Sequence, residues 1–163
     1  MTYLDLINNV LRRLREDTVD TANATDYSHL IGDLVNDAKK IVENSFDWTA
    51  LRDSITVNTV SGTDTYSLTG SGDLAVIKDV MNTTSKRFMH LRSKEYFNNV
   101  TYNTTPQSGS PDYYTFVGTD SNRDLQVQVY PKPEATYALR FDVVKPQADL
   151  SSDSDSLSVP TNP

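Results

Sequence analysis

The chain contains no cysteine in its 163 residues, so neither disulfides nor thiolate metal sites contribute to its fold. Histidine is nearly absent as well, with His29 and His90 the only imidazoles. Neither stands in a local motif with an acidic or nucleophilic companion, which leaves no basis for a catalytic triad or a zinc site. No apolar run approaches the roughly 20 residues of a membrane span. The opening residues, Met1-Thr2-Tyr3-Leu4-Asp5, lack a basic segment followed by an apolar block, so no signal peptide is expected. Basic charge is in the minority: 15 Lys and Arg against 22 Asp and Glu give a formal charge of −7. A surface of that sign repels phosphate and excludes a general electrostatic grip on nucleic acid. Apolar residues are scarce too, at 37% even with tyrosine counted. The core must therefore be lean, and either the chain is extended or neighbouring subunits supply part of its burial.

What is present is a change of period. Leu4, Ile7, Leu11 and Leu14 recur at helical spacing over residues 2 to 16, with Leu6 and Val10 widening the stripe. Asp17 to Asn23 breaks the pattern. Thr25 is placed to cap a second helix over 25 to 45, with Leu30, Ile31, Leu34, Val35, Ala38, Ile41 and Val42 as its apolar positions. Two such helices with a short connection form an antiparallel hairpin. Their seam needs fewer apolar positions than they carry, so Leu6 and Val10 are expected on an uncovered stripe.

From Trp48 the period is two. Ile55, Val57 and Thr59 alternate with Ser54, Thr56 and Asn58, and Thr65 to Leu68 reads as the return strand of a hairpin. Leu74 to Val80 reads as a further strand. Ser93 caps a short helix near 93 to 102, anchored by Tyr96 and Phe97. The clearest strand is Leu125 to Val129, where Leu125, Val127 and Val129 face a core and Gln126 and Gln128 face water, until Pro131 and Pro133 end it. Tyr137 to Val144 follows. The expected fold class is α+β, an N-terminal antiparallel helical pair packed beside a mainly antiparallel β-sheet or sandwich. The expected organisation is a helical layer over 1–47, a β-rich layer over 48–148 and a flexible polar tail over 149–163, all in a single structural unit.

Few residues invite chemistry. Asp149, Asp153 and Asp155 with their serines lack the glycine and closing glutamate of a calcium loop and read as a solvated linker. Arg12, Arg13 and Arg15 with Lys39 and Lys40 form the one basic concentration; phosphate contact is one reading, and compensation of the helix dipole with solubility is the other. Asn-x-Ser/Thr occurs at Asn23, Asn82, Asn99 and Asn103 as ordinary loop composition. Trp48, the only tryptophan, sits where helical and β layers meet and reads as an anchor between them. Candidate assembly or packing residues are Leu6, Val10, Trp48, Tyr113 and Tyr130; no catalytic, cofactor or metal-binding residue is nominated and no enzyme is expected.

The order of these features resembles phage head-to-tail adaptor proteins over nearly the whole chain. Two amphipathic helices precede Asp47-Trp48 and Leu51-Arg52, then a hairpin ending in Tyr66-Ser67-Leu68. Gly109-Ser110-Pro111-Asp112-Tyr113-Tyr114 is similar to the family's Gly-x-Pro-x-x-Tyr entry to a strand. Leu125 to Pro133 resembles its strand ending in Pro-x-Pro, and Leu150 with Leu157-Ser158-Val159-Pro160 its Leu-Ser and Leu-Pro run. Where the family often has Leu-Pro-x-Asp, this chain has Leu68-Thr69-Gly70-Ser71-Gly72-Asp73. The resemblance implies a homo-oligomeric ring of about twelve copies. It also implies the portal and a tail nozzle or tail tube as partners, transient passage of DNA, no membrane, and a place in the neck of the virion after assembly in the host cytoplasm. A host-surface or carbohydrate-binding β module of a tail fibre or adhesin is the competing reading, since nine tyrosines could line a sugar-binding face. A hydrolase with a site spread over loops is the third, and the residue inventory argues against it.

Overall fold

The computed structural model describes residues 1–160, which fall into two units, each with its own core. Met1–Leu51 and residues 146–160 form a helical unit; Arg52–Lys145 form a β unit. The order of elements, two long helices and then mainly antiparallel sheets, is α+β.

In the helical unit, α1 spans Tyr3–Leu14 and α2 spans Asp26–Ser45. Both begin on a reciprocal cap. The Thr2 hydroxyl accepts from Asp5 N–H while the Asp5 carboxylate accepts from Thr2 N–H, and Thr25 and Ser28 repeat the exchange for α2. Helix α1 stops where Arg15 turns left-handed at φ 63° and its N–H returns to Arg12 and Leu11. The connection back is pinned by Asn8, whose amide both donates to Val19 O and accepts from Val19 N–H. Tyr3, Ile7 and Leu11 of α1 meet Ala22, Ile31 and Leu150 in a small core.

Residues 149–160 depart from the expected flexible tail; the last three residues of the expected tail lie outside the described residues. Leu150 is buried against the helices, and Asn36 clamps its backbone by donating to Leu150 O and accepting from Leu150 N–H. Asp153 Oδ1 takes Ala22 N–H at 2.7 Å, Tyr3 N–H donates to Asp155 O, and Thr2 pairs with Ser156. A polar segment docks here because its acceptors meet backbone N–H groups that the helix start leaves free. Its sparse apolar residues, Leu150, Leu157 and Val159, anchor it.

The β unit is two four-stranded sheets around one core. The strands are β1 (Arg52–Asn58), β2 (Thr65–Ser67), β3 (Val76–Asn82), β4 (Arg87–Phe88), β5 (His90–Leu91), β6 (Ser108–Gly109), β7 (Tyr113–Thr119), β8 (Leu125–Tyr130), β9 (Lys132–Pro133) and β10 (Ala138–Val144). One sheet has the order β1-β10-β3-β4, the other β2-β8-β7-β5, and β6 pairs with β9 apart. Pairing is antiparallel except for β5 with β7 and β6 with β9. Val80, Leu139 and Phe141 from the first sheet meet Leu68, Val127 and Val129 from the second. Alternation along β8 thus sends Val127 and Val129 inward, while Gln128 bonds Asp64 and Lys94.

The expected hairpin of β1 with Thr65–Leu68 is not formed. β1 pairs with β10, and β2 crosses to pair with β8 in the other sheet. Residues 59–64 are too many for a two-residue turn. The Tyr66 hydroxyl folds this connection on itself, donating to Thr63 O at 2.6 Å and accepting from Val60 N–H at 3.1 Å. Ser93 does cap a helix, α3 (Lys94–Asn98), which runs on as a π-turn over Asn99–Asn103.

Candidate assembly surface

Helix α2 carries two faces of opposite character to expectation. Turned inward are Ser28, Gly32, Asn36, Lys39 and Glu43, spaced at helical intervals and all buried. This polar face receives α1 and the C-terminal segment. Lys39 Nζ donates to Gln147 O at 2.6 Å, to Ala148 O at 3.2 Å and to Glu43 Oε2 at 3.3 Å, so all three ammonium protons are committed. Gly32 lies under the Tyr3 ring, where a side chain would collide with it. Turned outward are Tyr27, Leu30, Leu34 and Ile41, with Leu30, Leu34 and Ile41 52%, 58% and 72% exposed. At 100° per residue these four fall within a narrow strip, bordered on one side by exposed Asp26, Asp33 and Asp37. Of the apolar positions read from the sequence, Ile31 is buried and Val35 half-buried.

Leu6 lines an open apolar pocket with Val35, Ala38 and Val42, and Val10 lies further along the same helix. Both are half-buried against the helical core, because the docked C-terminal segment adds Leu150 and Leu157 to the cluster they join. The apolar surplus belongs to α2. Trp48 is half-buried at the end of α2, where its indole N–H donates to Val42 O at 3.0 Å and its ring meets Phe46 edge-on at 5.4 Å. Tyr113 and Tyr130 are brought together as direct partners across β7 and β8. Tyr96 stacks edge-on against both, at 5.6 and 6.4 Å, and the Arg92 guanidinium lies 5.0 Å from the centre of the Tyr113 ring. Of this cluster, the sequence singled out Tyr113 and Tyr130 as packing candidates and Tyr96 as a helix anchor; Arg92 carried no signal.

The two histidines belong to different units. His29 faces Asp33 at 3.5 Å on exposed α2 surface, and His90 lies beside the Tyr113 ring. The basic concentration is also divided. Lys39 is buried, Lys40 pairs with Asp149 at 2.9 Å, and Arg12 donates to Asn9 Oδ1, which leaves Arg13 and Arg15 as open surface cations.

Two carboxylates hold local backbone structure, Asp5 at the start of α1 and Asp155 in the C-terminal segment. Asp155 accepts Ser151 and Ser152 N–H, both at 2.8 Å, and these bonds hold its carboxyl below the ordinary range. Asp5 is lowered first by the Thr2 N–H bond and then by the Thr2 hydroxyl. A carboxyl lowered in the folded state contributes stability above its unfolded pKa of about 3.9 and loses it as pH falls through the folded value. Carboxyl titration by NMR should therefore place the Asp5 and Asp155 midpoints below about 3.9. The Ser151 and Ser152 amides should shift with the Asp155 midpoint. Ordinary midpoints, or amides that do not respond, would show that these bonds are absent in solution.

Among the described residues no helix is long and apolar enough to cross a membrane. A comparison with curated proteins found no match. Comparison with protein families matches residues 1–163 to the family described as SU10 adaptor protein. The match takes in the capped helical pair, the sandwich and the docked C-terminal segment alike. The chain belongs to the SU10 adaptor protein family, structural adaptors of the phage head-to-tail junction.

Proposed function

We propose that copies of this protein form a ring, of about twelve subunits by the resemblance, that joins the portal to the tail nozzle or tube and encloses part of the DNA ejection channel. The role is structural and non-enzymatic, exercised in the neck of the virion after assembly in the host cytoplasm. The observation that carries this reading is the exposed Leu30, Leu34 and Ile41 strip on α2, an apolar face built on a capped helix and left exposed among the described residues. The tyrosines weigh against a sugar-binding face. Tyr3 and Tyr114 are buried, and Tyr96, Tyr113 and Tyr130 pack on one another.

A formal charge of −7 per copy suits a conduit, since an acidic wall lets phosphate slide past without sticking. The field reaches only about 8 Å at physiological salt, so it acts as a lining and sets no long-range barrier.

Leu34→Ser with Ile41→Ser tests the strip. Both positions are exposed, so subunit stability should change by no more than about 0.5 kcal/mol per site. Self-association and binding to portal or tail protein should fall at least tenfold, or about 1.4 kcal/mol. Undiminished assembly, followed by sedimentation and by electron microscopy of the particle neck, would remove α2 from the interface.

A further inference from the structure

On one side of the β unit both sheets end together. β4 is the last strand of one sheet and β5 the last strand of the other, and only Met89 separates them. The Met89 side chain enters the shared core, and its N–H donates to Val80 O at 2.8 Å. Two further backbone bonds cross to the other sheet, from His90 N–H to Asp112 O and from Arg92 N–H to Tyr114 O, both at 2.9 Å. The ribbon is thus pinned to two sheets, while Lys86, Arg87, Phe88, His90, Leu91 and Arg92 stay exposed.

Its composition departs from the rest of this acidic chain. Residues 86–94 hold four of the 15 Lys and Arg and none of the 22 Asp and Glu. Lys94 donates to Gln128, but Lys86, Arg87 and Arg92 make no side-chain hydrogen bond or ion pair among the described residues. Between the two arginines stand Phe88, 62% exposed, and Leu91, 56% exposed. Arg92 is oriented as well as charged, with its guanidinium 5.0 Å from the centre of the Tyr113 ring and 5.6 Å from that of Tyr96. Contact with two rings restricts the side chain and leaves its N–H groups unspent, an arrangement that suits a carboxylate or a phosphate.

Two observations separate these acceptors. Phe88 and Leu91 call for an apolar cover that a phosphate backbone does not bring, and leucine offers a base no ring to stack on. Asp112 shares a cleft of about 370 Å³ with Arg87, Phe88, His90 and Tyr113, and it would repel a dense row of phosphates. A protein segment spaces its carboxylates and can set apolar groups between them. Charge on a sheet edge also deters unwanted strand addition, but that role needs neither an oriented guanidinium nor exposed apolar neighbours.

We infer that the ribbon of residues 87–92 docks an extended acidic segment of a partner protein, its carboxylates held by Arg87 and Arg92 and its apolar side chains laid over Phe88 and Leu91. Arginine and aromatic side chains are the groups that most often dominate interface energy. The site lies wholly in the β unit and depends neither on the α2 strip nor on ring formation.

Fluorescence anisotropy on the full chain tests this with three short labelled peptides. The first carries glutamates on either side of a phenylalanine and a leucine. The second has glutamine for glutamate, and the third has serine for the two apolar residues. The first should bind, and the others about tenfold more weakly. Arg92→Lys keeps the charge and loses the planar fork, and should weaken the first peptide about fivefold. Arg87→Glu with Arg92→Glu, folded by circular dichroism, should abolish its binding. Arg13→Glu with Arg15→Glu, in the helical unit, should bind it as the parent does. A single-stranded oligothymidylate that binds the ribbon more tightly than the first peptide would replace the partner protein by nucleic acid. Peptide binding unchanged by Arg92→Lys, or by serine at the apolar positions, would reduce the ribbon to unspecific charge and overturn the docking site. No binding of the first peptide up to about 1 mM would overturn it too, and leave the cations as protection of a sheet edge.

Discussion

Lys39→Ala is expected to destabilise the helical unit by about 3–5 kcal/mol, the range for removing one partner of a buried ion pair. Lys39 and Glu43 have side chains 2% and 0% exposed, so solvent cannot replace the lost ammonium. The substitution also strips the donor from Gln147 O and Ala148 O, which tie the C-terminal segment to α2. Thermal unfolding should show the loss, and hydrogen exchange should show residues 147–157 released first. The double variant Lys39→Met with Glu43→Leu should recover much of the stability, because an apolar pair of similar volume leaves no stranded charge. If Lys39→Ala costs under about 1 kcal/mol, the pair is solvated and belongs with exposed ion pairs instead.

Gly32→Ala should lower stability by about 1–3 kcal/mol, the cost of overpacking a filled site. Intrinsic propensity points the other way: alanine is favoured over glycine inside a helix by about 1 kcal/mol. The tertiary contact decides the sign. A Cβ on Gly32 would sit 2.2 Å from the Tyr3 hydroxyl oxygen and 3.1 Å from the ring carbon bearing it. Tyr3 is 5% exposed and lies at the start of α1, so its rigid ring has little room to retreat. Tyr3→Phe removes the nearer atom. Combined with Gly32→Ala, it should cost clearly less than the sum of the single changes, and a double-mutant cycle of denaturation midpoints measures the difference. Strict additivity, or a stabilising Gly32→Ala, would mean that Tyr3 does not pack on α2.

Much of the secondary structure was legible along the chain because local rules governed it. Thr25 and Ser93 cap helices as their side-chain chemistry demands, and Val127 and Val129 go inward because strand side chains alternate. Pairing was less legible. β1 and Thr65–Ser67 look like neighbours in sequence, yet their partners, β10 and β8, lie many residues away. A strand's own pattern states which face is apolar and carries little about which edge it joins. The exposed face of α2 was less legible for a related reason. Helical spacing located the apolar residues of α2 but not which side the rest of the unit would occupy.

By itself, then, the sequence determined the α+β order, the helix caps, the alternation of β8 and the resemblance to head-to-tail adaptors. Each depends on residues within a few positions of one another, or on their order along the chain. Only the tertiary structure decided that α2 turns Asn36, Lys39 and Glu43 inward and Leu30, Leu34 and Ile41 outward. The reason is that the C-terminal segment, more than 100 residues away, docks through Leu150, Gln147 and Ala148 on the polar face and satisfies its donors and acceptors there. A buried polar side chain is tolerated where its hydrogen bonds are completed, and what completes them is a long-range contact that no periodicity encodes.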